Sequence, residues 1–329
     1  MAEPVTAAEL GAWRGEGVGL GEVIDALTEL RRVGHRTATR TSVVNLVVLA
    51  DDEAEAARAC AAIQDLGGRH PGRSIVVVRE PDGGAQAVDA EVTLHGAVAE
   101  GHSVWSEDVV LRVRGEVQRH LDSLIEPLTL PDLPVAAWLV GTVVEPSDAL
   151  LASADAVVVD SREAGDPGLL ASIAELSREH TVVDLSWIRL RPWRELLARL
   201  FDGAAFRPFV AGVTRARVTG KPGPRHLLGG WLVSRLGLPH SAVELVDGLH
   251  VAVHLEARAG GKEGSFTVGR ADDRRLLRAT ARVEDGPSYD DRLGLPEVSL
   301  PWSLAEALTH LERDRTHEEA VEGALGFAS

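Results

Sequence analysis

Residues 42–49 read Ser-Val-Val-Asn-Leu-Val-Val-Leu, an almost unbroken apolar and β-branched run. A strand with one wet face alternates; a run of this kind suits a strand covered on both faces, as in a parallel sheet. Parallel neighbours need a crossover, usually a helix, because no tight turn can join them. The sequence supplies one. Asp51, Asp52 and Glu53 place negative charge where a helix N-terminus favours it, Ala56, Cys60, Ile63 and Leu66 recur on one side, and Gly67-Gly68 ends the run. Ile75 to Val78 is a second buried strand, so the segment predicts a β-α-β unit and an α/β fold. Upstream, the first twenty residues lack periodicity and read as a loose arm. Leu20, Val23, Ile24, Leu27 and Leu30 then predict an amphipathic helix ending near Gly34.

Downstream the period changes. Val88, Ala90, Val92 and Leu94 alternate with Asp89, Glu91, Thr93 and His95, and Val109, Leu111 and Val113 alternate with Arg112 and Arg114. Period-2 alternation predicts an antiparallel pair with one wet face. A helix carrying Val117, Leu121, Leu124 and Ile125 follows and closes at Pro127. The proline-rich stretch Leu130 to Val135 leads into an apolar strand over 136–140, and 156–159 closes a first domain. Ser161 to Gly168 is the expected boundary, giving domains of 1–162 and 163–329. In the second, Asp166-Pro167 opens a helix, 181–185 is a strand, and helices begin at Pro192 and near Leu227. Leu249, Val251, Val253 and Leu255, then Phe266 and Val268, then Leu277, Ala279, Ala281 and Val283 predict a three-stranded antiparallel sheet. Two helices after Trp302 complete an α/β protein of two domains, each a mixed sheet with helices.

Composition narrows the function. The 329 residues carry a net charge of −16. It is uneven: residues 1–160 hold 12 basic and 26 acidic side chains, residues 161–329 hold 22 and 24. An acidic half repels a phosphate backbone, so no nucleic-acid partner is expected. Apolar runs stay short of the roughly 18 residues a membrane helix needs, and no membrane association is expected. Cys60 is the single cysteine, which excludes an intramolecular disulfide and a thiolate-rich metal cluster. With no basic and apolar leader at the N-terminus, the expectation is a cytoplasmic protein.

The search for chemistry yields candidates rather than a reaction centre. Gly15, Gly17, Gly19 and Gly21 are glycine-rich, but a dinucleotide fingerprint needs a preceding strand, and the sequence shows none there. Lys221-Pro-Gly-Pro-Arg225-His226 is a basic turn ahead of a helix and reads either as an anion site or as a proline-stiffened loop. His250 and His254 are four apart on a predicted strand, about 13 Å, too far to share a metal ion. His250, His254 and Glu256 share one face by alternation, and Arg278, Thr280 and Arg282 share one on the last strand. If the faces coincide they form a polar, partly basic platform, or else an ordinary solvated sheet face. Trp138, Trp187, Trp193 and Trp231 sit among apolar residues and read as core. Trp105 and Trp302 sit among polar ones and read as contact candidates. No acid and base pair, nucleophile or cofactor loop stands out, which favours a binding or assembly role over an enzyme.

Several segments resemble one family. Residues 40–49, His70-Pro-Gly-Arg73 and the long stretch 121–135 with Trp138 are similar to the glucose-6-phosphate dehydrogenase assembly protein family, OpcA. Asp184-Leu-Ser-Trp187, Pro192-Trp-Arg-Glu-Leu-Leu197 and residues 227–237 resemble its C-terminal domain. The resemblance implies a non-catalytic factor without a cofactor of its own, which binds glucose-6-phosphate dehydrogenase, supports its active oligomer and raises its activity as an allosteric activator in the oxidative pentose phosphate route. Ser106 stands where many relatives carry cysteine, so thiol control is not expected. On that implication, Pro131-Asp132-Leu133-Pro134 with Glu107 and Asp108 is the expected enzyme contact, unless the prolines only stiffen a buried crossover. The competing reading is a sugar-phosphate or nucleotide sensor with its anion site at Lys221, Arg225 and His226.

Overall fold

The structure is a computed structural model. It describes all residues except 1–7, 35–41, 67–69, 81–86, 100–101, 142–143, 164–166, 274, 296–297 and 328–329. The expected Gly67-Gly68 stop and the Asp166 cap lie outside the described residues. The chain divides into two compact units, one of Met1–Val159, Glu179–Val183 and Leu300–Glu312, the other of Asp160–Arg178, Asp184–Ser299 and Arg313–Ser329. It therefore passes between units several times, whereas the composition pointed to a single passage near residue 162.

The first unit is built on an eight-stranded mixed sheet. β2 (Val44–Ala50) and β3 (Gly72–Glu80) are parallel and joined through α2 (Glu53–Asp65), as the apolar runs predict. Every residue of β2 is buried. Asp52 caps α2 by accepting from Glu55 N at 2.7 Å. β4 (Ala87–Ala99) and β5 (His102–Arg114) form the expected antiparallel hairpin, and β5 joins the sheet parallel to β3. β6 (Val135–Val140) and β7 (Ala156–Val159) add parallel strands beside β2, and β8 (Val182–Asp184) forms the far edge. The helix expected over 117–125 is α3 (Leu121–Ile125), flanked by 3-10 turns at Gly115–His120 and Glu126–Leu128.

The loose arm is corrected. Ala8–Gly15 is β1, the near edge of the sheet, antiparallel to β4. Its wide scatter of half-exposed residues hid it, because an edge strand with little burial on either face has no clear period. A strand thus precedes the glycine-rich segment, yet the segment is not a dinucleotide loop. α1 (Leu20–Gly34) follows it, but the next strand, β2, lies four places from β1 in the sheet order, and β1 is antiparallel to its neighbour. The loop amides are also occupied: Gly17 N donates to Asp89 Oδ1 at 2.9 Å and Gly19 N to Glu22 Oε2 at 2.9 Å. Carboxylates stand where phosphate would have to.

The second unit holds a six-stranded sheet in the order β10-β9-β11-β12-β13-β14. β11 (Ala252–Ala259), β12 (Lys262–Arg270) and β13 (Leu276–Val283) are the three expected antiparallel strands. β9 (Val213–Gly220), β10 (Val243–Asp247) and β14 (Ser288–Gly294) extend them, with β9 and β10 parallel. Val253, Leu255, Phe266, Val268, Leu277, Ala279 and Ala281 are buried along one face. Phe201, Phe206 and Phe209 gather around Phe266, with ring centroids 4.4, 6.1 and 5.7 Å away. Leu249 departs from its expected inward place. It precedes β11 and is 85 % exposed. α7 (Pro222–Leu236) packs against α9 (Arg315–Leu325).

Candidate functional site

The acidic contact expected in the first unit separates into two parts. Glu107 is buried, and two arginines hold it. Arg31 Nε donates to Oε1 at 2.5 Å, and Arg73 donates to Oε2 from Nε at 2.9 Å and from Nη2 at 2.6 Å. Arg73 also donates to Leu128 O. The pattern shows a buried ion cluster tying α1 to β3 and β5, and not a surface group, so Glu107 is withdrawn as a contact. Asp108 is engaged as well, with its carboxylate 3.0 Å from His95 Nε2. The hydrogen bond that His95 donates to Asp108 outweighs the burial of His95 and raises the imidazole pKa above its ordinary value.

The proline segment is both stiffened and exposed. Asn45, buried at the start of β2, donates to Leu130 O at 2.9 Å and accepts from Leu130 N at 2.7 Å. Its own amide donates to Pro134 O at 2.8 Å. The one polar residue in the apolar run is therefore the staple of the following turn. Asp132 takes a φ of 63° there, a left-handed conformation that Asp tolerates better than most side chains. Asp132 and Pro134 are exposed and Leu133 is half-buried.

The basic turn in the second unit is regrouped. Lys221 sits just before α7, exposed, and lines a cleft of about 620 Å³. Arg225 and His226 do not line it. Arg225 donates to Gly220 O at 3.3 Å and pairs with Asp247, and His226 Nδ1 lies 2.6 Å from Pro222 O. Both serve the turn itself, so they are withdrawn as anion ligands. The cleft brings other basic side chains to Lys221: Arg162, Arg189, Arg270, Arg275 and His250. Arg189, buried in α5 (Leu185–Arg189), is held by Asp160 at 2.9 and 2.8 Å. Leu190, Trp193, Leu249, Val251, Leu295 and Val298 form the apolar walls, and Trp193 Nε1 donates to Val251 O at 3.0 Å. Sequence reasoning missed these four arginines because they come from separate stretches of the chain, spread over residues 162–275. The only sequence signal was the concentration of basic residues after 160.

The platform is real in part. Cross-strand register places Arg217, His254, Thr267, Thr280 and Asp290 in one row, and Arg215, Glu256, Ser265, Arg282 and Ser288 in the next. Arg278 belongs to a third row with Arg292. The faces of β11 and β13 therefore coincide. His250 is excluded: it precedes β11 and belongs to the cleft. Arg278 binds Asp290 at 2.5 Å, Arg217 binds Glu244 at 2.8 Å, and His254 Nδ1 lies 2.9 Å from Thr267 Oγ1. Arg215 and Arg282 make no ion pair among the described residues.

A buried histidine and aspartate pair completes the polar inventory of the second unit. Asp184 accepts from Ser186 N at 2.8 Å and Ser161 N at 3.1 Å, and lies 3.5 Å from His317 Nε2. Burial would raise the Asp184 pKa, but the hydrogen bonds and the histidine outweigh it and hold it low. Both side chains are closed to solvent, and with Trp187 bonded to Asp314 at 2.8 Å they fix the start of α9. Cys60 is half-buried, its thiol pushed up to about 11 chiefly by burial. Trp105 is buried rather than a contact, like Trp138, Trp187 and Trp193, while Trp231 and Trp302 are half-buried. Among the described residues no group of three metal-ligating side chains is found, and no helix is long and apolar enough to cross a membrane.

Comparison with known proteins gives two adjacent family matches. Residues 63–175 match the glucose-6-phosphate dehydrogenase subunit N-terminal domain, and residues 180–321 match the corresponding C-terminal domain. Among relatives, the protein named "Putative OxPP cycle protein OpcA" of Synechocystis sp. is 28 % identical over 46 % of this chain and 34 % of its own length. Its namesake in Synechococcus elongatus is 27 % identical over 47 % of this chain and 37 % of its own. The chain thus matches about a third of the length of these relatives. An oxidoreductase from Sinorhizobium meliloti aligns over 87 % of this chain and 95 % of its own with a TM-score of 0.43 and 11 % identity. That likeness is too low to carry an argument.

Proposed function

We propose, from the premise that the chain belongs to the OpcA family of glucose-6-phosphate dehydrogenase assembly proteins, that it binds the dehydrogenase as a non-catalytic subunit and favours its active oligomer. The observation that carries the reading is the pair of family matches, both describing domains of a dehydrogenase subunit and together spanning most of the chain. An activator acts by binding the active state more tightly than the inactive one. A coupling of about 1–3 kcal/mol changes substrate affinity roughly 5–150-fold.

With Glu107 and Asp108 engaged internally, we assign the contact to the open face of the second sheet. Its rows hold Arg, His, Thr and Glu side chains in fixed register, and Arg215 and Arg282 make no ion pair of their own among the described residues. The Asp132 turn is the alternative surface.

The test is a titration into the dehydrogenase of the same organism, following NADPH formation at subsaturating glucose 6-phosphate. A saturable rise is expected, with no rate from this chain alone. Arg278→Glu with Arg282→Glu should weaken the half-saturation point about tenfold or more, and Asp132→Asn should leave it unchanged. A flat response with no co-elution would refute the assembly reading. Loss of the effect in Asp132→Asn alone would move the contact to the turn.

A further inference from the structure

The cleft of the second unit is a concentration of positive charge in a protein of net charge −16. Six side chains that carry or can carry a proton charge face it. Asp160 offsets Arg189, and Asp273 stands 3.6 Å from Arg275. Arg162 and Lys221 have no carboxylate partner among the described residues, and Lys221 is one of two lysines in the chain. Like charges gathered without counter-charges repel one another, and an anion in the cleft removes that cost. The volume, about 620 Å³, lies in the range of small-molecule sites.

The described lining also says what kind of anion. It contains no Asp, Glu, Asn or Gln. Guanidinium and ammonium groups only donate, which suits phosphate oxygens that only accept. Each sugar hydroxyl brings a donor that needs an acceptor, and the lining side chains offer few, Ser186 Oγ being already directed at Asp160 at 2.9 Å, which counts more against a hexose phosphate than against a nucleotide, whose ribose has fewer free hydroxyls. What the cleft offers beside its cations is apolar surface. Trp193 and Val251 are tied together by the 3.0 Å hydrogen bond, and Leu249 stands at the rim, 85 % exposed. A leucine this exposed keeps its apolar surface in water, and a flat apolar body in the cleft would cover part of it.

We infer that this cleft binds a phosphorylated ligand with a flat apolar body, of the nucleotide class, with Lys221, Arg162 and Arg275 on the phosphates and Leu249 and Val251 against the base. The site stands independently of the partner reading, because it belongs to the second unit alone.

The test is isothermal titration of the full chain with ATP, glucose 6-phosphate and inorganic phosphate. ATP is expected to bind saturably and more tightly than either of the others. Lys221→Ala with Arg275→Ala, both exposed, should raise the ATP Kd about 30-fold or more, while Arg282→Ala on the sheet face leaves it unchanged. Leu249→Ser should weaken ATP but not inorganic phosphate. No saturable heat with ATP, or binding indifferent to the double substitution, would overturn the site. Glucose 6-phosphate binding as tightly as ATP would overturn the ligand class. Circular dichroism confirms that each variant is folded, and none of these outcomes bears on whether the chain binds the dehydrogenase.

Discussion

At the scale of single residues, the polar groups inside the first unit carry the sharpest consequences. Glu107 meets two guanidinium groups in a buried setting. Removing one partner of a buried ion cluster costs far more than the cluster contributes net, because the remaining charges stay desolvated. Glu107→Gln is therefore expected to destabilise the protein by about 3–5 kcal/mol, read as a lowered urea midpoint. An unchanged midpoint would contradict the buried cluster. His95 makes a pH-dependent contribution. Its folded pKa is raised, first by the Asp108 hydrogen bond and further by the charges of Asp108 and Glu9. A raised pKa gives stability that is complete below the unfolded value of about 6.5 and is lost as pH rises through the higher folded value. His95→Gln should therefore cost more at about pH 5.5 than at about pH 8.5, and equal costs at both would remove the linkage.

At the scale of elements, two features depend on close approach or on sparse burial. α7 and α9 meet at glycines: a Cβ on Gly230 would run into the Ala320 carbonyl, and Gly323 lies against Gly230 in turn. The Leu-Leu-Gly-Gly-Trp sequence of residues 227–231 is thus a packing surface for α9. Gly230→Ala should cost about 1–3 kcal/mol by overpacking, although alanine is the better helix former. A stabilised variant in thermal unfolding would show that the helices do not pack this closely. β1 is the opposite case. Ala8–Gly15 has too little burial to show a period, and only the ladder to β4 defines it.

At the scale of the whole molecule, charge is the property that ties the proposals together. The acidic excess lies before residue 160, while the arginines after it are sorted by the tertiary fold into a cleft and a sheet face. A contact through the arginine rows is electrostatic and exposed, so salt screens it. The half-saturation concentration in the dehydrogenase titration should rise several-fold between about 50 and 300 mM salt. Independence from salt would argue for an apolar contact instead.

The strands of both cores, the β-α-β unit and the antiparallel character of the second sheet were legible in the sequence. Burial selects apolar residues with the period of the element, and residues 44–50, 75–78, 253–255 and 266–283 keep that period. The family resemblance was legible for a related reason, in long segments such as 121–135 whose turn and staple constrain many positions at once. Polar side chains carry no such record. Glu107 on a wet-looking strand, Arg225 in a basic turn and Arg162, Arg189, Arg270 and Arg275 scattered over a hundred residues have no period that tells a clamp from a surface or a ligand site. Their roles depend on which charge stands a few ångströms away, and only the tertiary structure decides that distance.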